Sequence, residues 1–565
     1  MLSPSRSVRP VGDRAFLVQF ATLGEVLSMY EALVEHPLEG QVDVVAAAET
    51  VLVTANSAAA ARRWPALLRA IDASRPTTGD DMLVTIDVVY DGEDLDEVAE
   101  LTGLGRDGVI AAHTSQHWTA AFGGFAPGFA YLVGDDRLLV PRRRTPRHAV
   151  PAGSVALADA YSAVYPRVSP GGWQLIGRTD AEMWSLDREQ PALVQPGNRV
   201  QFRAVRDVVA ADTAVSTPTL SGTSSDSAAG TAGLVVVQPG LQTTVQDLGR
   251  PGLANLGVAG AGALDRGAVR RSNRLAGNPA TAAVLENALG GLVLEARSDQ
   301  VLAVTGASVS VEVTGGTHLA RRVPTDAPFA LHAGERMTLG TPEWGVRSYV
   351  AVRGGFDVPE VLGSRSTDSM SGLGPVPLRA GTELSVALAP PTSVVGAPEP
   401  TPQPPAEVTD LRFVLGPRDD WFSSETLAAF TAGTYTVTAQ SNRIGLRLDG
   451  LSLTRSRAGE LPSEGTVSGA IQLPASGLPV LFLADHPVTG GYPVLGVVLH
   501  ADLDLAAQLG TGAQIRFVPV SLPVTSSSSS PAGADSPVPP ATRITPAADT
   551  ASGTIASATT TPNES

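Results

Sequence analysis

Between Ser463 and Tyr492 the chain reads Ser-Glu-Gly-Thr-Val-Ser-Gly-Ala-Ile-Gln-Leu-Pro, then a short apolar run, then Asp485-His-Pro-Val-Thr-Gly-Gly-Tyr492. Glycine-rich turns of this kind admit backbone angles and close approaches that a side chain forbids, so each one fixes where a strand must stop. The two turns bracket a buried strand, expected over residues 478–483, and bring their polar residues to one end of a β-structure. A small-molecule site would lie at that end. The Gly-Gly-aromatic element returns as Gly171-Gly172-Trp173 and Gly354-Gly355-Phe356, each after a β-like run. Either related barrels are used more than once or the same turn chemistry recurs.

Two absences narrow the chemistry. The 565-residue chain has no cysteine, which excludes disulfides, thiolate metal sites and a cysteine nucleophile. It also has no lysine, so all 40 basic residues are arginine. A Schiff base, a biotinyl-lysine and a Walker A lysine are therefore excluded. Any phosphate bound here is bound by arginine, by backbone amides or by a partner chain. The net charge of -16 argues against nucleic acid or an anionic membrane as partner. No apolar run approaches the roughly 20 residues of a membrane helix, and Met-Leu-Ser-Pro-Ser-Arg is no secretory signal. The expectation is a soluble cytoplasmic protein.

The length implies several cores. Residues 8–90 alternate helix and strand patterns as a small α/β sandwich, with a helical face through Val26, Tyr30 and Leu33 and with Ser57 as N-cap of a second helix. Residues 91–205 begin with two helices and turn into short apolar runs broken by Gly and Pro, the texture of a barrel. Residues 206–232 read as a flexible linker, 233–390 as a β-rich unit, 391–408 as a Pro-rich connector, 409–521 as another barrel and 522–565 as a disordered tail. The fold class is mainly β with α+β character.

Some motifs do not survive their context. Gly103-Leu-Gly105-Arg-Asp-Gly108 matches the dinucleotide pattern but follows a helix, not a strand. His113 and His117 stand one helical turn apart without a third ligand, so capping or core-edge roles are favoured over a metal, and no metal ligands are assigned. No nucleophile elbow appears. The arginines at 142, 143, 144 and 147, with Arg178, make the densest basic cluster. It is either solvated surface or, because prolines stiffen the loop, a preorganised anion site.

Phe125-Ala-Pro-Gly-Phe-Ala-Tyr-Leu132, Pro151-Ala-Gly-Ser154, Ser169-Pro-Gly-Gly-Trp173 and Ile176-Gly-Arg-Thr179 resemble the family known as allophanate hydrolase subunit 1, or as the B subunit of 5-oxoprolinase. Thr244-Val-Gln-Asp-Leu-Gly-Arg250, Arg353-Gly-Gly-Phe356, Gly363-Ser-Arg-Ser-Thr367, Ser463-Glu-Gly465, Gly469-Ala-Ile-Gln472 and Thr489-Gly-Gly-Tyr-Pro493 resemble its companion, known as allophanate hydrolase subunit 2, or as the C subunit of 5-oxoprolinase. The chain thus looks like a natural fusion of the two. Both families also supply the carboxyltransferase region of urea amidolyase.

The resemblance implies cyclophilin-like β-barrels and ATP-dependent opening of 5-oxoproline to glutamate, with Mg2+ and a separate A subunit of the LamB/YcsF type. Without lysine, no biotin is carried here. A lactam resists hydrolysis because it is a resonance-stabilised amide, and phosphorylation of its carbonyl oxygen would yield a better electrophile. On this reading Arg144, Arg147 and Arg178 hold substrate carboxylate or nucleotide phosphate, with Gly171, Gly172 and Trp173 beside them. Glu464, Asp485, Thr489 and Tyr492 form the catalytic group, Gln472, Gly490 and Gly491 line it, and Glu464 or Asp485 serves as base or magnesium ligand. Gln246, Asp247, Arg250, Arg353 and Arg365 are further binding candidates. The family often carries two threonines where this chain has Val488-Thr489, which puts the first hydroxyl's role in doubt. Rival readings are a biotin-dependent carboxyltransferase component acting on urea or a related amide, and a kinase-inhibitor and antagonist module. Activity without the LamB/YcsF-type partner and a homo-oligomeric state are left open.

Overall fold

The computed structural model describes residues 6–73, 82–206, 232–459 and 461–522. The linker expected over 206–232 and the tail expected over 522–565 fall almost wholly outside them.

The N-terminal unit is an antiparallel sheet in the order Ser7–Val11, Ala15–Gln19, Thr50–Ala55, Gln41–Ala46. Thr22 and Glu25 form a reciprocal capping box that starts the helix Leu23–Glu35, and Ser57 caps Ala58–Ala61 as its sequence position predicts. Successive strand residues point to opposite faces. Val18, Val51 and Val53 pack against the helix and against Phe122, Phe129 and Trp173 of the next unit. Ala15, Leu17 and Leu52 pack against Ala470, Phe482 and Val497 of the last unit. Burial on both faces explains the unbroken apolar runs of these strands. The small sheet is a wedge between the two halves of the molecule.

In the next unit seven strands form one sheet in which Leu83–Val88 pairs in parallel with Arg199–Ala204. The sequence pattern assigns Leu83–Val88 to the small α/β unit; its pairing places it in the barrel, so the boundary at residue 90 moves back to before Leu83. The outer strands Leu83–Val88 and Gln174–Arg178 meet at the Val89–Arg178 bridge, which closes the sheet on itself. Ile86, Trp118, Leu132, Ile176 and Phe202 fill the interior, with Leu95, Val98 and Val109 contributed by the helices Leu95–Thr102 and Gly105–Thr114. Gly103, at φ +69°, ends the first of these helices. The dinucleotide-like phrase is therefore a helix break. His113 is a core residue, held by Tyr90 Oη at 2.7 Å and Ser162 Oγ at 2.9 Å and stacked on Phe202, while His117 lies 2.8 Å from Arg199.

Residues 232–385 build two sheets of six and five strands around one core rather than a single closed circuit. The helix Arg266–Ala276 starts at Asp265, whose carboxylate accepts from Ala268 N, and stops at Gly277. The Pro-rich connector is fastened to this unit: Glu399 pairs with Arg274 at 2.7 Å and its amide donates to Asp326 O. The last unit is a closed seven-stranded barrel running from Val408–Leu415 to Gln514–Pro519, filled by Phe413, Phe430, Tyr435 and Phe517. The bracketed strand of the opening motif is Val480–Phe482. The architecture is mainly β with closed barrels and few helices, as the punctuated texture of the sequence predicts.

Candidate functional site

The arginine cluster of the first barrel is not a set of free cations. Asp94 accepts from Arg147 Nη1 and Nη2, both at 2.9 Å, and from Arg143, and its Oδ2 also takes Leu175 N at 2.7 Å. Arg147 further pairs with Glu93 at 2.9 Å and Arg178 with Asp91 at 2.8 Å. The Asp94 bonds hold the Arg147 pKa above its ordinary value. An anion arriving at Arg147 or Arg178 would share these guanidiniums with carboxylates already present or displace them. Arg144 is exposed, and Trp173 is buried under Arg142 with 6.0 Å between ring centre and guanidinium. Gly171 lies opposite Arg147 in a two-stranded ladder, and a Cβ there would strike the Tyr165 hydroxyl. The Gly172 carbonyl accepts from Arg143 N at 2.7 Å.

The second-half turns do converge. Glu464 and Gly465 pair with Gly490 and Thr489, so the two ends of the opening motif share one ladder. Gln472 is buried beneath it and donates to Tyr492 O at 3.3 Å, and a Cβ on Gly490 would stand 2.8 Å from Gln472 Nε2. Gly491 O accepts from Leu461 N, and Tyr492 is the exposed member. Glu464, however, is buried and bound bidentately by Arg418, which also reaches Gln19 Oε1 of the N-terminal sheet at 3.1 Å. Burial pushes the Glu464 carboxyl up and Arg418 recovers part of that shift. The pair ties the halves together, and Ala48 N donates across the same seam to Ser463 O.

Asp485 is fully buried. Its carboxylate accepts from Arg443 Nε at 3.0 Å and Nη2 at 2.9 Å and from Ser369 N and Oγ at 2.9 and 2.6 Å. Arg443 also contacts Glu286, which accepts from Tyr349 Oη at 2.9 Å. Burial alone would lower the Arg443 pKa; Asp485 and Glu286 outweigh it and raise it. Asp368 stands beside Asp485, its pKa raised by burial and then by that neighbouring charge. Arg250 and, from the first half, Arg167 lie within electrostatic reach of Asp368. The hydrogen-bonded network joins the middle unit to the last barrel.

Among the described residues no cluster of three His, Asp or Glu side chains could hold a metal ion. In this structure both Glu464 and Asp485 are buried ion-pair partners.

Asp247 fixes the 363–367 loop, accepting from Gly249 N, Ser364 Oγ, Ser366 Oγ and Arg365 N at 2.5 to 2.8 Å. Gln246 donates to Thr367 O at 3.1 Å, and Arg250 to Val361 O and Ser366 O. Arg365 pairs with Glu360, and Arg353 binds Ser393 O of the connector at 2.9 Å. The residues that sequence reasoning missed, Arg443, Arg418, Asp94, Asp368 and Arg167, lie at turn-like phrases without a spacing signal.

Residues 6–194 match the family model described as carboxyltransferase domain, subdomain C and D, and residues 256–519 match subdomain A and B. A stretch of 295 residues is 36% identical to the C subunit of 5-oxoprolinase from Escherichia coli (strain K12), covering 51% of this chain and 92% of that one. The chain belongs to the carboxyltransferase-domain family. Within it, 124 residues are 42% identical to the B subunit of 5-oxoprolinase from Bacillus subtilis (strain 168), covering 21% of this chain and 52% of that one. The crystal structure of TTHA0988 superposes with a TM-score of 0.76 at 34% identity, over 89% of this chain and 99% of that one. Family members similar to both 5-oxoprolinase components are thus joined here in one polypeptide, in the order B then C. Among the described residues no helix is long and apolar enough to cross a membrane.

Proposed function

We propose that the chain is the fused B and C component of an ATP-dependent 5-oxoprolinase, opening 5-oxoproline to glutamate together with a separate LamB/YcsF-type protein as its A component. The observation that carries this reading is the joining of sequences similar to both named components in one chain, with the small sheet wedged between the halves. The ion pairs of Asp94, Glu464 and Asp485 hold the barrels and the small sheet in a fixed arrangement. No step is assigned to a magnesium ion on this chain. The test is to mix the purified chain with a LamB/YcsF-type protein, 5-oxoproline and Mg-ATP and to assay glutamate and ADP together. Equal release of both is expected. Glutamate without ADP, or neither product, rejects the reading.

A further inference from the structure

A cavity of about 400 Å³ opens where the three parts of the molecule meet. The hairpin turn at residues 12–14 enters from the small sheet, the helix Arg266–Ala276 presents Arg266 and Arg270 one turn apart, and the last barrel contributes His500 and Asp504. The turn is seated firmly, because Gly12 has φ +70° and a Cβ there would stand 2.8 Å from Val497 Cγ1. Val45, Leu52, Val488 and Val497 contribute apolar lining.

The arginines here differ from those the motifs single out. Among the described residues none of Arg14, Arg266 and Arg270 has a carboxylate oxygen within 4.0 Å, whereas Arg147, Arg418 and Arg443 each have one. The acidic neighbours are engaged elsewhere. Asp13 accepts from His500 N at 3.2 Å, Asp43 from Gly252 N and Ala254 N at 3.1 and 3.0 Å, and Asp504 from Arg266 N and Gly267 N at 2.9 and 3.1 Å. Arg14 keeps a single long bond to Asn56 O at 3.3 Å, and its buried Nε has no partner. Arg266 keeps one to Ala261 O at 3.4 Å. Burial and then repulsion from Arg270 lower the Arg266 pKa, and burial followed by the charges of Arg14 and Arg266 lowers His500 to about 4. Such mutual repulsion is relieved by a bound anion.

We propose that this cavity binds a small carboxylate, its oxygens held by Arg14, Arg266 and Arg270 and its apolar body laid on the Leu52 and Val497 lining. Planar guanidinium forks match a carboxylate, and the volume lies in the range of small-molecule sites. Charge decides against a polyphosphate. A single carboxylate suits the three guanidiniums, whereas a polyphosphate would also set several negative charges near Asp13, Asp43 and Asp504. The site needs both halves of the chain.

Equilibrium dialysis without ATP or a partner protein tests the assignment, with 5-oxoproline, glutarate and phenylacetate as carboxylate probes and inorganic phosphate and ADP as alternatives. At least one carboxylate is expected to bind once per chain. Its affinity should fall by at least about tenfold in Arg14→Gln and in the exposed Arg270→Gln, and stay unchanged in the surface variant Arg322→Gln. The proposal is overturned if no carboxylate binds, if both variants bind as the wild type does, or if only phosphate or ADP binds. Because binding is read without turnover, a chain that binds a carboxylate but never releases glutamate retires the proposed reaction and leaves this site standing.

Discussion

Arg443 is gripped from two sides, by Asp485 and Glu286, and none of the three side chains reaches bulk water. Replacing it with methionine strands two carboxylates in the interior, so Arg443→Met is expected to destabilise the fold by about 3–5 kcal/mol, read from urea midpoints. A variant within about 1 kcal/mol of the wild type would show that water reaches the network. His113 carries a pH signature. Burial lowers its folded pKa to about 3, while an unfolded histidine stays near 6.5. Between those values the unfolded chain binds the extra proton, so this residue makes stability fall as pH drops from about 6.5 toward 3. Asp265, raised to about 6 by burial and by Asp504, acts with the opposite sign between about 4 and 6. Comparing His113→Gln with the wild type isolates the first effect: the loss of stability between about pH 7 and about pH 4 should be smaller in the variant, and an equal loss would contradict the assignment. At this scale the sequence was legible where the signal is local. Ser57 sits in its expected cap, and Gly103 ends the helix that the sequence places before it. Ion-pair partners were not legible, because Asp485 and Arg443 are 42 residues apart and Glu286 and Arg443 are 157 apart, with no periodicity linking them.

Among the elements, the strand Thr50–Ala55 does most to join the halves, since its two faces feed two different cores. Gly465 lies against it: a Cβ there would approach Leu52 Cβ to 2.7 Å. Gly465→Ala is therefore expected to cost about 1–3 kcal/mol through overpacking. Leu52→Ala keeps Cβ but removes the Cδ2 that would stand 2.9 Å away, so in the double variant part of that cost should disappear, giving a favourable coupling in a double-mutant cycle. Strict additivity would mean that the two residues do not touch. The sheet wedge was only half visible in the sequence. The alternation of helix and strand was legible there, but not which neighbours cover the two faces of the sheet. The misplacement of Leu83–Val88 has a similar origin, since its partner Arg199–Ala204 lies 116 residues further on and parallel pairing leaves no turn to read.

For the whole molecule, the two family matches, the wedge and the shared cavity all describe halves that act as one body. The mainly β, barrel-bearing architecture was readable because Gly and Pro punctuate many strand ends. The cavity was not, because Arg14, Arg266, Arg270 and His500 come from three units and none belongs to a recognisable phrase. Function on this account belongs to the joined halves. The most direct test is to express 1–206 and 232–565 as separate chains and to assay 5-oxoproline-dependent ADP and glutamate release with the LamB/YcsF-type partner present, each chain alone and the two recombined. Neither chain alone should turn over substrate, and recombination should restore equal release of both products. Full turnover by either chain alone would contradict the account.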